Sequence, residues 1–390
     1  MKKGLQFVLL LALGAALLGG ILWFSNDHTR NEASKGRQRT LTDIRGRKVA
    51  VPKYVQRAYY PYYYQNLLTV VGPDAFKRVV ASSIYDTANY SGDLYERLKE
   101  KSLGFAKVQD VGSTLKSNFD LEKLIALKPD VVVLANYQYD AIGKANLERL
   151  KKLGIPVVFI DYTDLSPQQH YQSTEILGKL FGEERRAEEV NDNYRNHIRQ
   201  VEERLQKVKQ KKTAYFEQRS TGSSFAEYGK AYGDGMLMGV LAKEAGAKNI
   251  YSGKIKGTGD VNPEYLFKEQ PDAIFLDGTN YADAQSQVLR IGYGVTPAET
   301  QSSLTALINQ RPGFKELKAV RQGQVYALDN HLMRTMKDYV LVEYIAKMLY
   351  PNLFHDVNPA KNLEEFNEKY LPNLVDNDSV FFTKWKMAGK

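Results

Sequence analysis

The chain has 390 residues, 54 Lys and Arg against 45 Asp and Glu (net charge +9), 43% hydrophobic residues and no cysteine. That length fits two lobes or two to three domains, and the apolar fraction is too high for a disordered chain. Zero cysteine excludes a disulfide framework, a thiolate metal site, a cysteine nucleophile and a cysteine-linked lipid. Tyrosine outnumbers phenylalanine 26 to 16, so much of the aromatic surface carries a hydroxyl that can reach a ligand.

Residues 1–26 read as an N-terminal signal or membrane anchor. Lys2 and Lys3 precede an uncharged apolar run from Leu5 to Phe24. Its length falls between a signal h-region and a spanning helix of about 20 residues. Trp23 and Phe24 have the character of an interfacial belt, which favours a retained anchor over a cleaved signal. Either form exports the body, to the periplasm or the outer face of the cytoplasmic membrane. Leu17-Leu18-Gly19-Gly20 has the outline of a lipoprotein box, but glycine stands where the acylated cysteine would be. Residues 27–40 are polar and basic, a tether.

In the body, segments 78–82, 157–161, 213–217 and 324–328 have strand character. Helical patterns at 141–153 and 234–245 close on Gly154 and Gly246. Two longer segments match each other: FDLEKLIALKPDVVVL, ending at Leu134, and VNPEYLFKEQPDAIFL, ending at Leu276. In each, a glutamate (Glu122, Glu264) stands seven residues before a Pro-Asp pair. The pattern predicts a helix stopped by proline, a tight turn and a buried parallel strand. Recurrence once in each half predicts two similar α/β lobes with parallel sheets, 41–166 and 213–390.

Residues 167–212 separate those lobes. Val190, Tyr194, Ile198, Val201, Leu205 and Val208 follow at spacings of 4, 4, 3, 4 and 3, one amphipathic stripe. They predict one long helix of roughly 28 residues, about 42 Å, as a rod between the lobes. Lys207, Lys209, Lys211 and Lys212 read as its solvated end. No nucleic-acid-binding module is recognisable, and nucleic acid is not expected as a partner.

An exported enzyme is the rival class, and the sequence offers it little. There is no Gly-x-Ser-x-Gly elbow and no His-Glu-x-x-His, and Glu122 and Glu264 fall on separate lobes. No catalytic residue is assigned. No histidine pair has zinc-site spacing, which argues against a bare zinc site. An adhesive or structural anchored protein is a further alternative, distinguished by tyrosines exposed without a cleft.

Ligands of open parallel sheets bind beyond the C-terminal ends of the strands, here between the lobes. Asn136-Tyr137-Gln138-Tyr139 follows the first matching strand, and Asp277-Gly278-Thr279-Asn280-Tyr281 follows the second. Tyr137 and Tyr281 are the candidates there. In the second lobe, Arg219 ends a strand and suits an anionic ligand. Tyr232 adds a donor nearby. His331 and Arg334 follow the last strand.

The order and spacing of these features resemble the helical-backbone (class III) substrate-binding proteins of ABC importers for iron–siderophore complexes, haem and cobalamin. The resemblance runs from TLTDIRGRKVAVPKYVQRA to MLYPNLF, including Thr42-Asp43 with Gly46, the paired Glu/Pro-Asp segments and AVRQGQVYALD. It implies that Ala58-Tyr59-Tyr60-Pro61-Tyr62-Tyr63-Tyr64 is the first strand-to-helix loop lining the cleft. Family members usually carry small and polar residues there, so Tyr59, Tyr60, Tyr62, Tyr63 and Tyr64 mark a departure in ligand. The resemblance further implies that Glu122 and Glu264 dock onto arginines of the permease, which works with an ATPase. A monomer with no resident cofactor is expected, its cargo an iron chelate, with a ferric siderophore favoured. Haem, cobalamin and an oxyanion such as molybdate are the alternatives. Whether any metal is coordinated directly stays open.

Overall fold

The computed structural model describes residues 38–387, apart from 91, 165, 220–223, 281–286, 373 and 375–378. The signal-or-anchor segment and tether residues 27–37 lie outside the described residues. The end of the expected tether is instead a strand. β1 (Gln38–Thr42) pairs antiparallel with β2 (Lys48–Pro52). The turn places Gly46 at φ 74°, a backbone that favours glycine.

The first lobe holds a five-stranded sheet of β3 (Ala58–Tyr59), β4 (Val79–Ser82), β5 (Gln109–Asp110), β6 (Val131–Ala135) and β7 (Val157–Ile160). All pairings are parallel, in the order β5-β4-β3-β6-β7. Every side chain of β6 and β7 is buried, as an apolar run covered on both faces must be. The order changes direction between β3 and β6, so the loops leaving these strands open a crevice. Helix α1 (Tyr64–Val71) leaves the β3 loop and is buried over nearly its whole length.

The second sheet has seven strands: β8 (Thr213–Gln218), β9 (Lys230–Tyr232), β10 (Lys248–Asn249), β11 (Thr258–Asp260), β12 (Ala273–Gly278), β13 (Val325–Asp329) and β14 (Phe382–Lys384). β8, β10, β12 and β13 run parallel, but β9, β11 and β14 pair antiparallel, so the all-parallel expectation is corrected here. Residues 219–229, between β8 and β9, are too few for a crossover helix, and the chain can only return antiparallel.

The connection between lobes is two helices, not one rod. α2 (Pro167–Phe181) starts at Ser166, whose hydroxyl accepts from the Gln169 amide. It ends where Gly182 turns left-handed at φ 73°. α3 (Glu184–Leu205) then runs for 22 residues and buries Val190, Tyr194, Ile198 and Val201, the predicted stripe. It stops short of Val208 because Lys207 and Val208 donate to carbonyls three residues back, tightening the end. The resulting rod is about 33 Å rather than 42 Å.

α4 (Tyr339–Leu349) packs on α3 and is almost entirely buried. Two carboxylates tie this region to the connection. Asp338 bonds His170 (3.1 Å) and accepts from the Tyr194 hydroxyl (2.8 Å), while Glu343 meets His197 at 2.7 Å. Both carboxylates are paired on both oxygens, since Asn362 donates to the second oxygen of Glu343 at 2.7 Å.

Candidate functional site

A cavity of about 420 Å³ opens between the lobes, at the crevice defined by β3 and β6. One wall is tyrosine: Tyr62, Tyr63 and Tyr64 from the β3 loop and Tyr137 from the β6 loop. Gln65, Asn66, Asp86, Thr87 and Thr163 add polar groups, and Leu94 and Leu115 an apolar edge. The facing wall comes from the second lobe: Met236, Asn330, His331, Met333, Arg334 and Thr335.

The tyrosines are held by one another and by hydroxyls. Tyr63 sits left-handed at φ 58° as it caps α1, a conformation unusual for a non-glycine residue. Its phenol lies 2.6 Å from Thr163 Oγ1. The Tyr62 ring rests 4.7 Å from that of Tyr63, and 5.9 Å edge-on from that of Tyr137. Tyr64 is bonded to Ser82 and accepts from Thr87 at 2.9 Å. Burial pushes the Tyr64 phenol up to about 12, against the lowering effect of those two bonds. Burial likewise raises Tyr63 and Tyr137, reinforced by Asp161 at Tyr63 and by Tyr62 at Tyr137. Tyr63, Tyr64 and Tyr137 are therefore held as neutral phenols.

On the opposite side, Arg334 is also left-handed, at φ 69°, and its Nη1 donates to the carbonyl and side-chain oxygen of Asn330 at 3.2 and 3.1 Å. His331 Nδ1 lies 3.5 Å from the buried carboxylate of Asp329.

Of the sequence-predicted residues, Tyr62, Tyr63, Tyr64, Tyr137, His331 and Arg334 come together at the cavity. Four expectations are corrected. Tyr59 is fully buried on β3 and packs against Phe119, because successive strand residues point to opposite faces. Tyr60 is buried too, its hydroxyl donating to the Tyr63 carbonyl at 3.4 Å. Arg219 is 1% exposed and folded back under its own loop. There it donates to the carbonyls of Ser224, Glu227 and Gln287, with the Glu217 carboxylate 3.8 Å away. Tyr232 is buried against Asp277, to which its hydroxyl donates. Tyr281 lies outside the described residues.

Glu122 and Glu264 are both exposed, in the first turns of the helices Leu121–Ala126 and Pro263–Glu269. The two helices begin alike: Asp120 and Asn262 each cap the amide three residues on. Each helix precedes a parallel strand, β6 or β12, so each glutamate lies at the end of its lobe that faces the crevice. Glu122 is paired with Arg149 at 2.5 Å.

Sequence reasoning missed Asn66, Asp86, Thr87 and Thr163. Asp86 carried a usable signal, since it follows the end of β4 and so obeys the same strand-end rule as Tyr137. Among the described residues, no helix is long and apolar enough to cross a membrane. Among the same described residues, no group of three or more His, Cys, Asp or Glu is placed to hold a metal.

Two α/β lobes, a helical connection and a polar-aromatic cavity at the sheet switch point are the architecture of a substrate-binding protein. Residues 62–332 match the family model of the periplasmic binding proteins, and the chain belongs to that family. It is 24% identical over 369 residues to the molybdate-binding protein MolA of Haemophilus influenzae, covering 88% of this chain and 93% of that one. It is 25% identical over 254 residues to the ABC transporter substrate-binding lipoprotein YvrC of Bacillus subtilis, covering 64% and 70%. Among solved structures, the TroA-like periplasmic binding protein FepB from Veillonella parvula superposes with a TM-score of 0.81 at 29% identity, covering 89% of this chain and 99% of that one.

Proposed function

We propose that the protein captures a ferric chelate, a siderophore complex, in the inter-lobe cavity and hands it to an ABC permease outside the cytoplasm. The observation that carries this reading is the wall of Tyr62, Tyr63, Tyr64 and Tyr137 facing His331 and Arg334. At about 420 Å³ the cavity is in the range of small-molecule sites, roughly 300–1,000 Å³, and far larger than a tetraoxo anion. Ferric iron takes hard oxygen donors, and a chelate brings its own. Neutral phenols then donate to chelate oxygens, and aromatic faces cover the ligand body. Glu122 and Glu264, exposed at equivalent places on the two lobes, are the proposed contacts for permease arginines. The apolar run before residue 27 holds the protein at the membrane if it is retained.

Titration calorimetry of the purified exported body against ferric chelates, haem and molybdate tests this reading. Stoichiometric capture of a ferric chelate without turnover is expected. A second reading, an oxyanion, is favoured by the resemblance to MolA and by the Arg334–His331 pair. Tight binding of molybdate with no binding of any chelate establishes that reading and overturns the first.

A further inference from the structure

Asp86 does not suit a cavity built only for polyanions. It lines the cavity opposite Arg334, stands on the first turn of the helix Ile84–Tyr90 and is 8% exposed. One of its oxygens is saturated: Oδ2 accepts from Ser83 Oγ at 2.8 Å and Ser113 Oγ at 2.6 Å. Both serines are fully buried, so the carboxylate is fixed in orientation. The other oxygen, Oδ1, is buried with no hydrogen-bond partner among the described residues. A carboxylate oxygen left in that state is costly unless something completes it. A helix-dipole role accounts for an acid in the first turn, and the serines account for Oδ2; neither accounts for Oδ1.

The charged and imidazole groups lining the cavity, among the described residues, are Asp86, His331 and Arg334. Asp86 and Arg334 both act electrostatically on the Tyr137 phenol, in opposite senses, so they share one field. Resting on the ferric-chelate reading above, we propose that the ligand is dipolar. It presents a cationic group to Asp86 and anionic oxygens to Arg334. A chelate bearing a free ammonium fits this pair, and a symmetric trianion meets repulsion from Asp86.

The test uses two ferric trihydroxamates that differ by one charge: ferrioxamine B, with a free terminal ammonium, and its N-acetyl derivative. Affinities are read by quenching of tyrosine fluorescence in the exported body. Wild type is expected to hold the ammonium form roughly tenfold more tightly, the worth of one charge-assisted hydrogen bond. Asp86→Asn is expected to bring the two forms to equal affinity in that variant, its folding checked independently by circular dichroism. A trianionic ferric tris-catecholate is expected to bind Asp86→Asn more tightly than wild type. Equal affinity of wild type for both trihydroxamates, or a preference that survives in Asp86→Asn, overturns the dipolar ligand while the ferric-chelate reading stands. Capture of molybdate with no chelate binding overturns both.

Discussion

Asn66 of the first lobe grips the second lobe at Arg334. Its Nδ2 donates to the Arg334 carbonyl at 2.8 Å, and its Oδ1 accepts from the Met336 amide at 2.9 Å. Asn66 lies in the first turn of α1, directly after the cavity tyrosines, so one turn of helix positions both walls of the site. The left-handed backbone of Arg334 is held in place by this pair of bonds.

Asn66→Ala therefore strands a part-buried carbonyl and a buried amide at once. A loss of about 2–6 kcal/mol in unfolding free energy is expected, at about 1–3 kcal/mol per unsatisfied group. Urea unfolding measures it, with the slope unchanged. A stability within about 0.5 kcal/mol of wild type contradicts the clamp.

The tyrosine wall predicts a spectroscopic outcome. Burial raises the phenols of Tyr63, Tyr64 and Tyr137, so ionising one to bind iron directly works against the site. Adding a ferric chelate is expected to give no visible band beyond the chelate's own. Tyr62→Phe and Tyr137→Phe each lose one donor, an effect of about 1 kcal/mol or roughly fivefold in affinity. A new tyrosinate–iron charge-transfer band on loading contradicts the neutral-donor arrangement.

Much of this was legible before the structure, and the misses have physical causes. The paired Glu/Pro-Asp segments located β6 and β12 because proline, an Asx cap and a fully buried run are local signals. The tyrosine cluster was harder. β3 is only two residues long, so no alternation showed that Tyr59 and Tyr60 turn inward while Tyr62 to Tyr64, beyond Pro61, reach the cavity. Arg219 ends β8 as expected, but carbonyls of its own loop and of residue 287 claim it, a non-local competition that spacing does not encode. Gly182 breaks the rod with a left-handed turn at φ 73°, a local conformation that the amphipathic stripe of 190–208 does not encode.

Lys337 predicts a pH dependence of stability. Its ammonium is fully buried, donates to Asn367 Oδ1 at 2.8 Å and lies 3.5 Å from the Tyr293 hydroxyl. That hydroxyl in turn donates to Gln65 on the cavity wall at 2.8 Å. Burial lowers the Lys337 pKa from 10.5 to about 7, with Asp329 opposing. Below about pH 7 both folded and unfolded chains carry this proton, and folding bears the full cost of burying it. Between about 7 and 10.5 only the unfolded chain holds the proton, so the residue's penalty shrinks as pH rises. The stability of wild type relative to Lys337→Met is expected to improve by about 2–3 kcal/mol from about pH 6 to about pH 9. A difference that stays flat, or falls, over that range removes the assignment. Comparing the two proteins cancels the opposite trend of the buried tyrosines, which ionise more readily when unfolded.

Docking makes the remaining prediction, because the two glutamates are not equally engaged. Glu122 is already paired with Arg149, a contact between exposed side chains worth about 0–1 kcal/mol. A permease arginine can displace it at little cost. Reversing both charges, Glu122→Lys with Glu264→Lys, is expected to abolish uptake in cells while ligand affinity of the purified protein stays within about twofold of wild type. Arg149→Ala separates docking from a local helix role. With its intramolecular partner removed, Glu122 is freer to meet the permease, so uptake is expected to hold or rise, and stability to change by less than about 1 kcal/mol. If the double reversal destroys ligand binding instead, the glutamates act within the lobes and not at a transporter surface.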